Sequence, residues 1–292
     1  MEEIARAKVI ALGNQKGGVG KTTNCVQIAA ALAEKGRRCL IWDLDMNFGS
    51  TRHFGIPAGT YWGTYELLTG QEEIHNVIIT ENDADVNLPN NINIITADRN
   101  LEGLEKGIAA KHRFFPAGIL VEPLRQVRAE YDYIFLDTAP SASTATLAAY
   151  MAADYFILST TPQQFSIQGL EDAVTDIKGA IGQGNKDLTI LGVVVSDVHL
   201  RTRIAAVNVP LIEDIFRPQE GQPSAKFDTV ISRSTVVGEA QKEGKTLFQT
   251  HPTHKITEQY RALSQEIEDR IHAFISFGES EAPQREEERG NG

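Results

Sequence analysis

The chain predicts an α/β fold, a mostly parallel sheet with helices on both faces. Three observations carry that reading. Short apolar runs bounded by turn residues recur at Val9–Leu12, Cys39–Trp42, Ile92–Ile95, Ile134–Leu136, Phe156–Leu158 and Ile190–Val195, with a weaker one at Thr229–Ile231. Stretches of helical length, amphipathic or rich in alanine, separate most of them. Near-continuous Val/Ile/Leu strands that alternate with helices describe a sheet buried on both sides. Thirdly, a glycine-rich loop joins the first run to the first helical pattern.

That loop is Lys16-Gly17-Gly18-Val19-Gly20-Lys21-Thr22-Thr23, and Cys25, Ile28, Ala29, Leu32 and Ala33 follow it on one helical face. Strand, loop and helix in this order are the context of a phosphate loop, which makes the fold Rossmann-like and of the P-loop NTPase type. Its glycines let successive backbone N–H groups point inward as an anion nest, and the helix adds its positive dipole end. Lys21 would reach the outer phosphates of a nucleotide, and the Thr22 hydroxyl would ligate Mg²⁺. The ordinary pattern has glycine where Gln15 stands, and here a second lysine, Lys16, occupies the mouth of the loop.

Farther along, the second run leads into Asp43-Leu44-Asp45-Met46-Asn47. Carboxylates at the end of a parallel strand beside a nucleotide loop lie where ligands bind in open α/β sheets; two solvated acids in a turn are the alternative. Tyr61–Gly70 reads as a short helix stopped by Gly70, with Trp62 and Tyr65 as packing residues rather than a base-stacking platform. Tyr131–Leu136 is an apolar strand ending in Asp137, the Walker B arrangement, in which the carboxylate holds Mg²⁺. The segment Pro218–Lys226 reads as a surface loop, and a final helix is expected over Thr253–Phe274.

Lys16–Thr23 resembles the deviant phosphate loop, K-G-G-x-G-K-[ST], of the ParA/MinD superfamily of ATPases, and the chain is similar to its ParA/Soj-type partitioning members. Asp137-Thr138-Ala139-Pro140-Ser141 resembles the ParA switch more closely than the MinD one. The resemblance implies ATP and Mg²⁺ as cofactors, with Lys16, Gly17, Gly18, Val19, Gly20, Lys21, Thr22, Thr23, Asp43, Asp137 and Arg233 at the nucleotide and Thr22 and Asp137 at the metal. It implies that Lys16 reaches the partner's nucleotide in an ATP-dependent homodimer, and that Asp45 helps position the attacking water. Met46 and Asn47 depart from the Pro and Gln usual in ParA proteins. The end of Gly192–Asp197 and the loop Ile231-Ser232-Arg233 should frame the adenine.

Non-specific DNA is a further implied partner, bound through Arg201, Arg203 and Arg233. Of two arginines that matter most in DNA-coating relatives, Arg201 matches one, while Val236 stands at the other. A ParB-like or cargo-adaptor protein would stimulate hydrolysis, and the dimer would be cytoplasmic and nucleoid-associated. A MinD-like membrane cycle is the alternative; it needs a basic amphipathic terminal helix, whereas here Glu258, Glu266, Glu268 and Asp269 precede an acidic tail. A nucleotide-switched corepressor is the other alternative.

Composition sets the bounds. Residues 1–277 are expected to form one ATPase domain and 278–292 an acidic tail, disordered for want of any large apolar residue. Cys25 and Cys39 read as buried thiols, too few for an iron–sulfur cluster, and His251 with His254 lacks a third ligand. No apolar run approaches a membrane span, and the charged Met1–Lys8 lacks the apolar centre of a signal peptide, so a cytosolic protein without a membrane partner is expected. The net charge of −11 argues against a chain that coats nucleic acid over its whole surface. It is unevenly spread: Ser196–Lys255 holds eight Lys/Arg against seven Asp/Glu, a net of +1, which leaves −12 elsewhere.

Overall fold

The computed structural model describes residues 6–83, 86–108, 118–199, 201–217 and 224–290, with side chains as far as 276. In chain order come β1 (Lys8–Gly13), α1 (Lys21–Glu34), β2 (Cys39–Asp43), α2 (Gly49–His53), α3 (Thr64–Thr69), α4 (Ile74–Val77), β3 (Ile78–Ile79) and β4 (Ile92–Ile95). A 3₁₀ turn then leads into α5 (Leu104–Ile108), α6 (Val121–Val127), β5 (Tyr133–Asp137), α7 (Thr144–Ala152), β6 (Tyr155–Thr160) and α8 (Ile167–Gln183). The chain continues with β7 (Thr189–Val195), α9 (Arg203–Ile215), α10 (Val236–Lys242), α11 (Leu247–Thr250) and α12 (Lys255–Gly290).

The strands form one sheet in the order β3-β4-β2-β5-β1-β6-β7, parallel except for the β3–β4 pair. Alternate side chains feed opposite layers, as the pleat requires. Ile10, Leu12, Ile41 and Phe135 pack under α1 and α12, whereas Val9, Ala11, Trp42 and Leu136 pack under α6 and α7. β1 is central: the chain leaves it toward β2 on one side, and β5 crosses over it to β6 on the other. The loop after β1 therefore opens at the topological switch, where open α/β sheets bind ligands.

Two expectations change. Thr229–Ile231 is not a ladder strand, because the N–H groups of Asp228 and Thr229 donate to the Glu266 carboxylate at 2.8 and 3.1 Å. Among the described residues the edge of β7 carries isolated parallel bridges there, Val193 to Lys226 and Val198 to Ser232, and Ile231 N donates to Val195 O at 3.0 Å. β3 is a two-residue antiparallel edge, too short to show a period in the sequence. Residues 218–223 of the expected surface loop lie outside the described residues, and Lys226 at its end is buried, its ammonium donating to Phe227 O at 2.8 Å.

The short helix before Gly70 forms as α3, with Gly70 left-handed at φ 70° to end it. Tyr65 packs on the core, but Trp62 is 58% exposed and so is not a packing residue. α12 starts two residues late and continues to Gly290. The division at residue 277 rests on composition. Cys25 and Cys39 are buried free thiols, and among the described residues no helix is long and apolar enough to cross a membrane.

His53, 1% exposed at the end of α2, ties this element to the C-terminal part of the chain. Its Nε2 donates to Lys245 O at 3.1 Å, and Nδ1 is buried without a partner. Burial pulls its pKa down to about 4, against the weaker effect of the Lys245 carbonyl. The unfolded chain takes up this proton near pH 6.5 and the folded chain only near 4, so stability falls as pH drops through that window. This one group accounts for a loss of up to about 3 kcal/mol. In urea titrations from pH 7 to 4, His53→Gln is expected to lose markedly less stability on acidification than the wild type, and equal losses would refute the assignment.

Candidate functional site

The loop after β1 turns through Gly18 and Gly20, at φ 72° and 85°. A side chain at Gly20 would strain that backbone and place its Cβ 2.9 Å from Ser196 Oγ, so glycine is required where α1 begins. Lys21, first in α1, is buried inside the curl, where its ammonium donates to Asn14 O at 3.0 Å and Lys16 O at 3.2 Å. Burial lowers its pKa, and the carboxylates of Asp137 and Asp45 push back. Val19 is buried, while Gly17 and Gly18 keep an exposed backbone.

Parallel pairing sets Asp43 beside Asp137 at the ends of β2 and β5. Asp137 is fully buried: Oδ2 accepts from Ser50 Oγ at 2.7 Å, and Oδ1 has no partner. Burial raises its pKa to about 6, with hydroxyl donors on Ser50 and Thr22 acting against it. A Cβ at residue 49 would lie 2.7 Å from Thr22 Oγ1, so Gly49 lets α2 close against that hydroxyl. A buried, unsatisfied carboxylate oxygen beside a threonine hydroxyl is a donor set that fits a hard divalent cation such as Mg²⁺.

The two other acids differ in role. Asp43, expected among the nucleotide contacts, turns inward: Oδ2 accepts from Thr51 N and Oγ1 at 2.9 and 2.8 Å, and Oδ1 from Asp45 N at 3.2 Å. Burial first, then the Asp137 charge, raise its pKa to about 8. It anchors α2 behind the loop. Asp45 sits closer to the surface, at 8% exposure, with Oδ1 accepting from Asn47 N and Nδ2 at 2.9 and 3.0 Å. Asn47 thus fixes the switch turn, while Met46 points out at 45% exposure.

Lys16 is held at the rim, apart from Lys21. Its ammonium donates to Ser166 Oγ at 2.7 Å and Gln164 O at 3.1 Å, in the loop that leads from β6 to α8. Ser166 also accepts from Gly169 N at 3.0 Å and so caps α8.

Beside the loop opens a cleft of about 700 Å³, walled by Thr23, Asn24, Ser196, Asp197, Arg233 and Tyr260 among others. The end of β7 and the 231–233 loop, expected to frame a base, do meet on this wall, with Arg233 N donating to Val198 O at 2.9 Å. Arg233 pairs with Asp197 at 3.5 Å and so belongs to the cleft. Arg201 and Arg203 are exposed, and neither has an acidic partner among the described residues; Leu200 lies outside them.

Sequence reasoning missed Asn24, Tyr260, Ser50 and Ser166. Asn24 had one signal, a polar residue amid an apolar face; here Tyr260 donates to its Oδ1 at 3.0 Å and it donates to Ser159 Oγ at 3.2 Å. Nothing in the order of residues links α12 or Ser50 to the loop.

A phosphate loop at the switch point of a parallel sheet, with a Walker B carboxylate beneath it, defines a P-loop NTPase. A family model described as an AAA domain matches residues 7–190. The ParA family protein of Chlamydia pneumoniae is 33% identical over 89% of this chain and 97% of its own length. The chromosome-partitioning ATPase Soj of Thermus thermophilus is 33% identical over 92% of this chain and 99% of its own. The chain belongs to the ParA family. The crystal structure of cobyrinic acid a,c-diamide synthase from Mycobacterium smegmatis, with an ATP analogue and magnesium, superposes with a TM-score of 0.73 at 23% identity, covering 89% of this chain and 93% of that one. At that identity it speaks for the fold alone.

The two lysines are expected to separate in a titration with fluorescent ATP. Lys21→Ala should lose binding, because the loop then lacks its buried cation. Lys16→Ala should keep measurable binding, because the Lys16 ammonium is anchored outside the curl. Equal loss in both variants would place Lys16 inside the phosphate cradle.

Proposed function

We propose that this chain is a ParA-type ATPase that pairs in an ATP-dependent sandwich, binds DNA without sequence preference and positions or segregates DNA or another cargo. The observation that carries the reading is the unequal placement of the two lysines: Lys21 fills the cradle of its own loop, and Lys16 stands at the rim. Hydrogen bonds to one serine and one carbonyl restrain Lys16, and rotation of its side chain would release it toward a second subunit.

In this reading ATP binds with its phosphates on the loop and its base in the cleft walled by Asp197 and Arg233. Mg²⁺ supplies charge neutralisation on the outer phosphates, and Thr22 with Asp137 would hold it. Lys21 donates to the outer phosphates once it leaves Asn14 O and Lys16 O. Asp45, held within the switch turn, orients the attacking water, and Lys16 of each copy completes the site of the other. The Soj protein named above is a chromosome-partitioning ATPase, which supports a partitioning or positioning role. A stimulating partner of the ParB or cargo-adaptor kind completes the cycle, with the ATP-bound dimer on the nucleoid in the cytoplasm.

Asp45→Ala should bind ATP and dimerise but turn over at least ~10-fold more slowly, the usual worth of a positioned catalytic group. Turnover within twofold of wild type would move the role elsewhere. Light scattering with a slowly hydrolysed ATP analogue tests the sandwich, and a Lys16→Ala protein that dimerises normally would refute it.

DNA binding would rest on Arg201 and Arg203, exposed and without an acidic partner among the described residues, with Lys242 at the cleft rim adding to them. Arg233 is engaged by Asp197, and Lys245 donates to Glu243 at 3.3 Å, so both contribute less. With about four phosphates neutralised per dimer, affinity for random-sequence duplex should fall roughly a hundredfold between ~50 and ~200 mM salt. Arg201→Ala should weaken binding to every sequence alike. Titration of labelled duplex with ATP-loaded Asp45→Ala protein measures both, and no binding even at low salt would sink the DNA reading.

A further inference from the structure

α9 packs on the end of β7 and the segment after it, Ile212 clustering with Val195 and Val198, with Val209 and Phe216, just past the helix, against them and Ala205 also buried. Its outer face is also apolar. Ile204, Val207, Leu211 and Ile215 are 51, 60, 39 and 37% exposed. Spaced by three, four and four residues, they form one continuous stripe along the helix.

Charge is distributed along α9 against its own dipole. Arg203 opens the helix, where the N–H groups already make a positive end, and Glu213 and Asp214 fall in the last turn, at the negative end of the dipole. On regular helical spacing Arg203 and Asp214, eleven positions apart with Pro210 between them, fall within about 20° of each other around the axis, on the same flank of the stripe. Stripe and charges are therefore nearly symmetric about Asn208 and Val209. In an antiparallel pair related by a two-fold axis, equal flanks face each other with the ends exchanged. Arg203 of each copy then meets Asp214 of the other and the negative end of the other helix. Val207 of one copy meets Leu211 of the other. The exposed ion pair of Asp214 with Arg217, just past the end of α9, is weak competition.

We propose that the outer face of α9 is a self-association surface, occupied by α9 of a second copy in antiparallel register. The assignment does not depend on nucleotide or on the ParA reading above. One helical stripe covers less than the ~800 Å² per partner of a standard stable interface, so the contact is weak by itself.

The test uses nucleotide-free full-length protein without DNA. Val207→Cys combined with Leu211→Cys should form intermolecular disulfides at least ~10-fold faster than Ile167→Cys, an equally exposed control on α8, because paired residues reach an effective concentration of order mM. A rate no faster than the control overturns the proposal. Arg203→Asp in that background should slow cross-linking at low salt, and adding Asp214→Arg should restore it; an unrestored rate overturns the antiparallel register. Circular dichroism checks folding. Should the cysteine pair disturb α9, sedimentation velocity of wild type at high concentration should show association that Val207→Glu with Leu211→Glu removes, and a monomeric wild type overturns the proposal.

Discussion

The structure is arranged around one electrostatic constraint: two carboxylates, Asp43 and Asp137, side by side and fully buried at the ends of neighbouring parallel strands. Burial disfavours both charges first, and a neighbouring carboxylate adds to it, Asp137 for Asp43 and Asp45 for Asp137; their raised pKa values record it. The surrounding groups answer that cost. Thr51 and the Asp45 N–H satisfy Asp43, Ser50 satisfies half of Asp137, and the Lys21 charge lies nearby. The remaining Asp137 oxygen is left open, and a divalent cation is the group that would complete it.

That demand also explains the shape of the chain around the site. α2 has to press on the loop to bring Ser50 to Asp137, which only glycine at residue 49 permits. α2 is held from behind through His53 and Lys245, and Gln27 of α1 accepts from Leu247 N at 3.0 Å in the same segment. Tyr260 of α12 reaches Asn24 on the far side of α1. Movement of the phosphate loop would therefore be felt by the switch helix and by the C-terminal helix together, through buried hydrogen bonds rather than across loose loops.

Fold and function separate instructively. Cobyrinic acid a,c-diamide synthase shares this fold at a TM-score of 0.73, so the scaffold alone does not choose the reaction. What distinguishes this chain lies in a few side chains around the loop: Lys16 on Ser166, Asp45 within its own turn, and Arg201 and Arg203, which have no acidic partner among the described residues. Lys16 and the two arginines reach solvent, which is where function can vary without disturbing the core.

The sequence by itself determined the strand series, the phosphate loop with both lysines, Thr22 and the Walker B Asp137, because each is a local pattern: a period, a turn requirement or a fixed spacing. The site was legible as far as those motifs extend. Tertiary structure alone decided that Asp43 faces inward while Asp45 stays near the surface, since two acids two residues apart look alike until the neighbouring strand and α2 are in place. It likewise recruited Ser50, Asn24 and Tyr260 from distant positions, left Trp62 exposed, and broke the ladder at Thr229–Ile231 by giving the Thr229 N–H to Glu266. Those outcomes depend on which surfaces meet after the sheet has formed, and local pattern carries no record of them.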